Sequence, residues 1–236
     1  MKVLVIGGMH GNETLGIRLV ELLNARKIKN VDAIIANKPA LEKNARFINS
    51  DLNRSFPGCV NSTSSHEERR AGELREMAKK YDVVLDFHNT FCPNNDCTFI
   101  GESSSPVLEK VAVLFKLTKM IVVDYDCINK YVPNCISIEV SMDSSKNSEA
   151  YWYKKIAQLA NGEESFREVD VEKYRFVYRM TLEDRDRLTL DKLNLQAFQP
   201  LPQEVASKLG LTEPAYPIFI GDKFTPYNYG GLLYRV

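Results

Sequence analysis

The sequence predicts an α/β protein with a mostly parallel (mixed) sheet flanked by helices. Over the first two thirds of the chain, short apolar runs alternate with segments of helical periodicity. This alternation is typical of parallel strands joined by crossover helices. In addition, polar residues that can carry chemistry follow directly on several of the apolar runs, and ligand sites of open α/β sheets gather at such strand ends.

The elements follow from this periodicity in order. Residues 2–6 form an apolar run and are predicted to be the first strand, and residues 13–26 carry leucines at helical spacing. Further strands are predicted at 32–36, 82–87, 97–100, 119–124 and 135–140, and further helices at 65–80, 106–117 and 148–160. The charged helix at 65–80 has opposite charges at helical spacing, which is typical of a solvated face.

The organisation changes after residue 161, where a polar segment ends the last of these helices. Beyond it, residues 167–180 alternate in polarity, and 216–220 and 232–236 are further strand candidates separated by prolines. A chain of 236 residues can hold one large domain with a small appendage. We therefore predict a catalytic domain at 1–161 and a small β-rich C-terminal domain at 162–236.

Composition restricts the classes of partner and the compartment. The 31 basic and 31 acidic residues cancel, so there is no bias towards nucleic acid or an anionic membrane. No segment approaches the ~20 apolar residues of a membrane span, and the first strand leaves no room for a signal peptide. The five cysteines show no C-x-x-C spacing. We expect a reduced, cytoplasmic protein with no nucleic-acid or membrane partner.

A candidate metal site begins in the glycine-rich turn after the first strand. His10 and Glu13 lie three residues apart there, and His88 ends a second apolar run. Two histidines and one glutamate suit Zn²⁺ and leave a fourth position open, as in catalytic zinc sites. Two alternatives remain open at this point. The histidines could simply cap strand ends, or Cys92 and Cys97 could ligate the metal instead.

Five motifs occur in a fixed order along the chain. They are His10-Gly11-Asn12-Glu13, Asn37-Lys38-Pro39-Ala40, Asp51-Leu52-Asn53-Arg54, Asp86-Phe87-His88-Asn89-Thr90 and Ile138-Glu139-Val140. In this order they resemble the aspartoacylase/succinylglutamate desuccinylase family, a branch of the zinc carboxypeptidase-like hydrolases, and the match is closer to aspartoacylase. The resemblance covers about residues 3–227. It implies a zinc carboxypeptidase-like fold, one Zn²⁺ per chain held by His10, Glu13 and His88, and a C-terminal domain bordering the active site.

The resemblance also assigns roles to other residues. Glu139 would take a proton from the attacking water and pass it to the leaving nitrogen, and Arg46 would polarise the carbonyl. Asn53 and Arg54 would bind a substrate carboxylate, and Asp51 would orient a zinc-bound histidine. An acidic residue on an apolar strand is costly unless it has a function. The alternative for Glu139 is a strand-end carboxylate in a salt bridge.

Specificity is less well defined by the motifs. Tyr125 and Tyr227 correspond to tyrosines that line the pocket in aspartoacylases. Those enzymes carry an arginine ten residues before the catalytic glutamate, where this chain has Asn129 followed by Lys130. A preference for N-acetylaspartate is therefore in doubt. Lys130 is the candidate to bind a side-chain carboxylate instead, although an ammonium lacks the planar fork of a guanidinium.

These observations predict a zinc-dependent amidohydrolase, or deacylase, that cleaves the amide bond of an N-acyl amino acid. The alternatives are a carboxypeptidase-like peptidase or an esterase on the same zinc centre, and a non-catalytic metal-binding protein. Neither a dinucleotide-binding fingerprint nor a G-x-S-x-G elbow is present. The expected partner is a small-molecule substrate. The acyl group, the amino acid and a homo-oligomeric state are left open.

Overall fold

One nine-stranded sheet organises the computed structural model, which describes residues 1–58, 64–163, 170–221 and 228–236. The strands are β1 Val3–Gly7, β2 Val31–Ile35, β3 Val83–Thr90, β4 Cys97–Gly101, β5 Lys119–Val123, β6 Cys135–Ser141, β7 Glu172–Thr181, β8 Ala215–Ile218 and β9 Asn228–Arg235. The helices are α1 Thr14–Ala25, α2 Lys38–Glu42, α3 His66–Ala78, α4 Val107–Leu114, α5 Ile128–Tyr131, α6 Glu149–Asn161, α7 Leu182–Leu188 and α8 Gln203–Lys208.

The strands lie in the order β2-β1-β3-β6-β4-β5-β7-β9-β8. The pairs β4–β6, β7–β9 and β8–β9 are antiparallel, and the other neighbours are parallel. The predicted α/β class with a mostly parallel, mixed sheet is therefore confirmed. β1, β3 and β6 lie near one another and run in the same direction, so their carboxyl ends meet at one edge.

Both faces of the sheet are covered, as the continuous apolar runs require. On β1, Val3 and Val5 belong to one core cluster and Leu4 and Ile6 to another, because alternate residues of a strand face opposite sides. The first cluster contains residues of α1, α4 and α6, and the second contains residues of α3 and α5. Trp152 is fully buried in the first cluster. No helix in the described part of the chain is long and apolar enough to cross a membrane.

The C-terminal segment extends the main sheet. β7 pairs in parallel with β5, and β9 and β8 then continue the same sheet. The segment also contains the helices α7 and α8. The sequence pattern of this segment had predicted strands only. The division into domains at residue 161 stays a prediction. What the structure adds is that the two parts share backbone hydrogen bonds through the pairing of β5 with β7.

Helix α3 is not only a solvated surface helix, which is what its charge pattern predicted. It begins at His66 after a capping box, in which the Ser65 hydroxyl accepts from the Glu68 amide and the Glu68 carboxylate accepts from the Ser65 amide. One stripe of the helix is nevertheless buried, and it begins with an acidic residue, Glu67, which is 0% exposed. A buried carboxylate needs hydrogen-bond donors, and these come from the loop that carries Arg46.

Candidate active site

The turn after β1 is shaped by two glycines. Gly8 has φ +65°, which L side chains rarely adopt. A Cβ on Gly11 would lie 2.2 Å from the carbonyl carbon of Ala40, so only glycine fits where the turn packs on α2. Glu13 then occupies the N-cap position of α1, and the Asn89 carboxamide oxygen accepts from Leu15 N at 2.7 Å. The turn and the start of α1 are thereby fixed against β3.

His10, Glu13 and His88, which we call the metal-ligand triad, lie together beneath the carboxyl ends of β1 and β3. Their exposed fractions are 3%, 5% and 5%. Glu13 Oε1 is 2.7 Å from His10 Nδ1, and Glu13 Oε2 is 2.9 Å from His88 Nδ1. Among the described residues, this is the group whose nitrogen and carboxylate atoms are close enough to hold a metal ion. Cys92 and Cys97 are not part of it.

The outer nitrogen of each imidazole contacts another carboxylate. His10 Nε2 is 3.1 Å from Asp51 Oδ1, and His88 Nε2 is 2.7 Å from Asp86 Oδ2. An imidazole that donates its Nε2–H outward directs the Nδ1 lone pair at the Glu13 oxygens. Acceptors then face acceptors in a buried site, and this arrangement requires a cation or added protons between them. Carboxylates in this outer position are typical partners of metal-bound histidines.

The pKa values of these groups reflect their mutual charges. Burial alone would raise the pKa of Glu13, but the charges of His10 and His88 outweigh it and hold that pKa well below its ordinary value. Burial would likewise lower the pKa of His88, yet the carboxylates of Asp86 and Glu13 raise it. The triad is therefore a site at which positive charge is strongly stabilised.

Arg46 reaches the triad from the loop between α2 and α3. Its Nη1 is 3.4 Å from Glu13 Oε1, and its Nη2 is 3.4 Å from Asp51 Oδ2. The loop itself is held by buried Glu67, whose Oε1 accepts from Ile48 N at 2.9 Å, Asn49 N at 3.3 Å and Asn37 Nδ2 at 3.3 Å. A helix expected to be only a solvated surface thus positions the arginine.

Glu139 lies beside the triad. It is the register partner of His88 across the parallel β3–β6 pair, and paired residues on neighbouring strands project from the same face. Glu139 lines the same cavity as His10, Glu13 and His88. A carboxylate next to a candidate metal site at a cavity is placed for proton transfer.

The cavity has a volume of about 190 Å³, which suits a small molecule. Four lining residues in successive contact, Arg54, Tyr125, Phe176 and Arg179, form what we call the cavity wall. The guanidinium carbon of Arg54 is 4.7 Å from the centre of the Tyr125 ring. Burial raises the pKa of Tyr125 to about 12, so its phenol is neutral and serves as a hydrogen-bond donor or acceptor.

Other predicted substrate residues differ in placement. Asn53 Oδ1 accepts from Ile128 N at 3.0 Å, which leaves the amide NH₂ as the group that Asn53 can offer to a substrate. Asn129 is 2% exposed, and its Nδ2 donates to the carbonyls of Phe99 and Cys135. Its donors are therefore already used. The structure does not bring Lys130 to the cavity, because Lys130 is exposed on α5 and pairs with Asp126 at 3.0 Å.

Sequence reasoning missed two residues of this site, and Tyr227, which it included, lies outside the described residues. Asp86 was detectable, since it precedes His88 by two positions and alternate residues of a strand share a face. Arg179 gave no comparable signal in the sequence, because its orientation depends on an irregularity in the pairing of β7 with β9. The roles assigned to Glu139, Arg46, Asn53 and Arg54 stay predictions.

The fold and site define an α/β protein with a candidate metal centre at its strand ends. The pattern of the succinylglutamate desuccinylase/aspartoacylase catalytic domain matches residues 1–135. This match covers more than half of the chain, and the chain belongs to that family. The resemblance seen in the five motifs is thereby confirmed.

Individual relatives agree with this assignment. A probable aspartoacylase of Trichodesmium erythraeum (strain IMS101) is 33% identical over 148 residues, covering 56% of this chain and 50% of the relative. An N-acyl-aromatic-L-amino acid amidohydrolase (carboxylate-forming) of Xenopus laevis is 37% identical over 109 residues, covering 38% and 34%. The chain thus spans half or less of the length of these relatives. The crystal structure of murine aminoacylase 3 matches with TM-score 0.72 at 17% identity, covering 100% of this chain and 95% of that one, which establishes a shared fold.

Proposed function

We propose that this chain is a zinc-dependent amidohydrolase that removes the acyl group from an N-acyl amino acid. The observation that carries the proposal is the placement of Glu139 and Arg46 beside the metal-ligand triad in one cavity. Metal binding alone requires neither residue. The relatives' names, aspartoacylase and N-acyl-aromatic-L-amino acid amidohydrolase, support the same reaction class.

The donor set fits zinc. Two imidazole nitrogens and one carboxylate oxygen are typical of catalytic zinc sites with an open fourth position. Both imidazoles have an outer carboxylate that fixes their orientation. When bound there, Zn²⁺ supplies Lewis acidity towards a carbonyl oxygen and towards water.

The chain's own residues would carry the remaining steps. Glu139 takes the proton of the attacking water as the water oxygen adds to the carbonyl carbon. It then delivers that proton to the nitrogen as the C–N bond breaks, so the products are a carboxylic acid and an amine. Arg46 stabilises the negative charge that develops on the carbonyl oxygen.

Substrate orientation would come from Asn53 and Arg54. The Asn53 amide is fixed through its oxygen, and the Arg54 guanidinium is partly ordered by donation to Asn53 O at 2.8 Å. A guanidinium can bind a carboxylate through two parallel hydrogen bonds. Together the two residues form a site for the α-carboxylate of an amino acid.

The test is a screen of N-acetyl, N-formyl and N-succinyl amino acids with zinc-loaded protein, read as released amine. Peptides with a free C-terminus and the matching acyl esters are tested in parallel, with chelator-treated protein as the control. We expect metal-dependent release of amine from N-acyl amino acids. Faster cleavage of peptides or esters would favour the alternative hydrolases, and absence of any turnover with stoichiometric metal would favour a non-catalytic metal-binding protein.

A further inference from the structure

Strand β7 contains an irregularity at the cavity. Phe176 pairs with Leu233 and Tyr178 pairs with Leu232, so β7 has one more residue than β9 between these two pairs. Such a bulge changes which residues share a face. Phe176 and Arg179 are three residues apart and would face opposite sides of a regular strand. Because of the bulge at Val177, both line the cavity.

The Arg179 side chain lies against aromatic surface and is open to solvent. Its guanidinium carbon is 5.9 Å from the centre of the Phe176 ring. Its register partner on β9 is Gly231, so no side chain covers it from that position. Within the described ranges, Arg179 forms no ion pair, unlike Arg175 on the same strand, whose Nη1 is 3.3 Å from Glu102 Oε1.

The four residues of the cavity wall form a sequence of contacts. Arg54 lies over Tyr125, the Tyr125 and Phe176 rings meet edge to face with centres 6.4 Å apart, and Arg179 lies over Phe176. The two guanidiniums are therefore separated by two aromatic rings. An arginine on an aromatic face keeps its donors available for an anion while its stem and plane are packed.

From this arrangement we infer that Arg179 is a specificity residue that binds a second carboxylate of the substrate. This inference rests on the proposed function and names its substrate class. The substrate is a doubly anionic N-acyl amino acid whose first carboxylate meets Arg54. Its second carboxylate meets Arg179, and an apolar stretch between them lies along the rings of Tyr125 and Phe176. The second carboxylate belongs either to the amino acid side chain or to the acyl group.

Asn129 cannot take this role, because both hydrogens of its amide are donated to backbone carbonyls. Lys130 is turned to solvent and paired with Asp126. The residue that binds the second anion thus comes from β7 in the C-terminal segment. A charge-assisted, planar contact of this kind discriminates strongly against a substrate that lacks the anion.

The test compares kcat/KM for doubly anionic substrates and their singly anionic analogues in the wild type, Arg179→Met and Arg179→Lys. N-acetylaspartate, N-acetylglutamate and N-acetyl-2-aminoadipate, each paired with its side-chain amide, probe the amino acid half. N-succinyl and N-butyryl amino acids probe the acyl half. We expect Arg179→Met to lose about 10- to 100-fold in kcat/KM with doubly anionic substrates and less than about 3-fold with singly anionic ones, and Arg179→Lys to retain part of the difference. Arg175→Met is the matched control and should behave as wild type.

A second measurement separates this inference from the proposed function. Titration calorimetry with glutarate and butyrate, a dicarboxylate and a monocarboxylate, reads anion binding without turnover. Tighter binding of glutarate that disappears in Arg179→Met supports the inference even if no N-acyl amino acid is hydrolysed. Equal losses for doubly and singly anionic substrates in Arg179→Met, or no selectivity of the wild type for glutarate, would overturn it.

Discussion

The metal-ligand triad and the cavity wall line the same cavity but are held in opposite ways. In the triad, His10 and His88 are buried, and each imidazole contacts a carboxylate on both sides. In the wall, Arg54 and Arg179 are exposed and lie on aromatic rings.

The two regions would meet two different requirements of the proposed hydrolase. Ligand atoms must hold their positions within tenths of an ångström, which requires supporting contacts around every ligand. Residues that determine substrate specificity need only place hydrogen-bond donors at the right distance, and their side chains can adjust to the bound substrate. We therefore expect substitutions in the triad to change metal content, and substitutions in the wall to change substrate preference at constant metal content.

The largest effect is expected for His88→Ala. Removing one of three ligands should strip most of the metal and with it the metal-dependent activity, because the remaining His10 and Glu13 no longer enclose the ion. Metal analysis of the purified protein measures this, against about one zinc per chain in the wild type. His66→Ala, on α3 outside the cavity, is the control. Stoichiometric zinc in the His88→Ala protein would contradict the assigned ligands.

Glu139→Gln should lower the turnover rate without changing metal binding or substrate binding. We expect kcat to fall by roughly 10²- to 10⁴-fold, since the amide cannot accept the proton, while metal content and KM stay near wild type. Steady-state kinetics with the best substrate of the screen, together with metal analysis, measures this. Near-normal turnover would leave Glu139 with a structural role only.

Asp86→Asn tests the outer support of the triad. Loss of the charge opposite His88 Nε2 should weaken metal affinity by about 10- to 100-fold without removing the ligand. Competition with a chromogenic chelator gives the affinity. Asp82→Asn changes an exposed aspartate just before the same strand and should have no effect. If both variants bind metal with the affinity of the wild type, Asp86 does not contribute to metal affinity.

Glu67→Gln should have the smallest effect, on stability and loop position. Burial alone would raise the pKa of Glu67, but hydrogen bonds from Ile48 N, Asn37 and Asn49 N lower it below the ordinary value of 4.5. The ionised form thus stabilises the fold at neutral pH, and this contribution is lost as the pH falls through the lowered pKa. We expect the variant to lose about 1–3 kcal/mol in free energy of unfolding at neutral pH.

The difference between wild type and Glu67→Gln should shrink as the pH is lowered from neutral to below the lowered pKa of Glu67, because protonation removes the charge from the wild type as well. Urea unfolding followed by circular dichroism at both pH values measures it. Glu73→Gln is the control, since Glu73 lies on the exposed side of the same helix and pairs with Arg70. A difference that is independent of pH would mean that the charge of Glu67 contributes nothing.

Much of the fold and the centre of the site could be predicted from local patterns. The apolar runs at β1, β3 and β6 are long enough to identify buried strands, and His10 and His88 stand at or just beyond the ends of two of them. Parallel strands bring their carboxyl ends to one edge, so His10, Glu13, His88 and Glu139 converge without knowledge of any long-range contact. The short helices α2 and α5 were missed because a single turn has almost no periodicity.

Other features depend on contacts between segments distant in the sequence. The charges of α3 predicted a solvated face, yet Glu67 is buried because the loop carrying Arg46 folds over it and supplies donors. Whether a charged residue on a helix faces water is decided by what packs on that helix, and periodicity alone contains no information about it.

The sequence by itself therefore determined the fold class and the convergence of His10, Glu13, His88 and Glu139, because each depends on a residue's place near the end of a strand. Only the tertiary structure decided the composition of the cavity wall. Strict alternation along β7 would group Phe176 with Tyr178 and turn Arg179 away, but the bulge at Val177 reverses this for Tyr178 and Arg179. Arg179 then faces the cavity, and Tyr178 packs against a separate hydrophobic cluster that contains Met180, Leu190 and Leu232. A bulge arises from the pairing of two strands, here β7 with β9, and its position follows from the register between them.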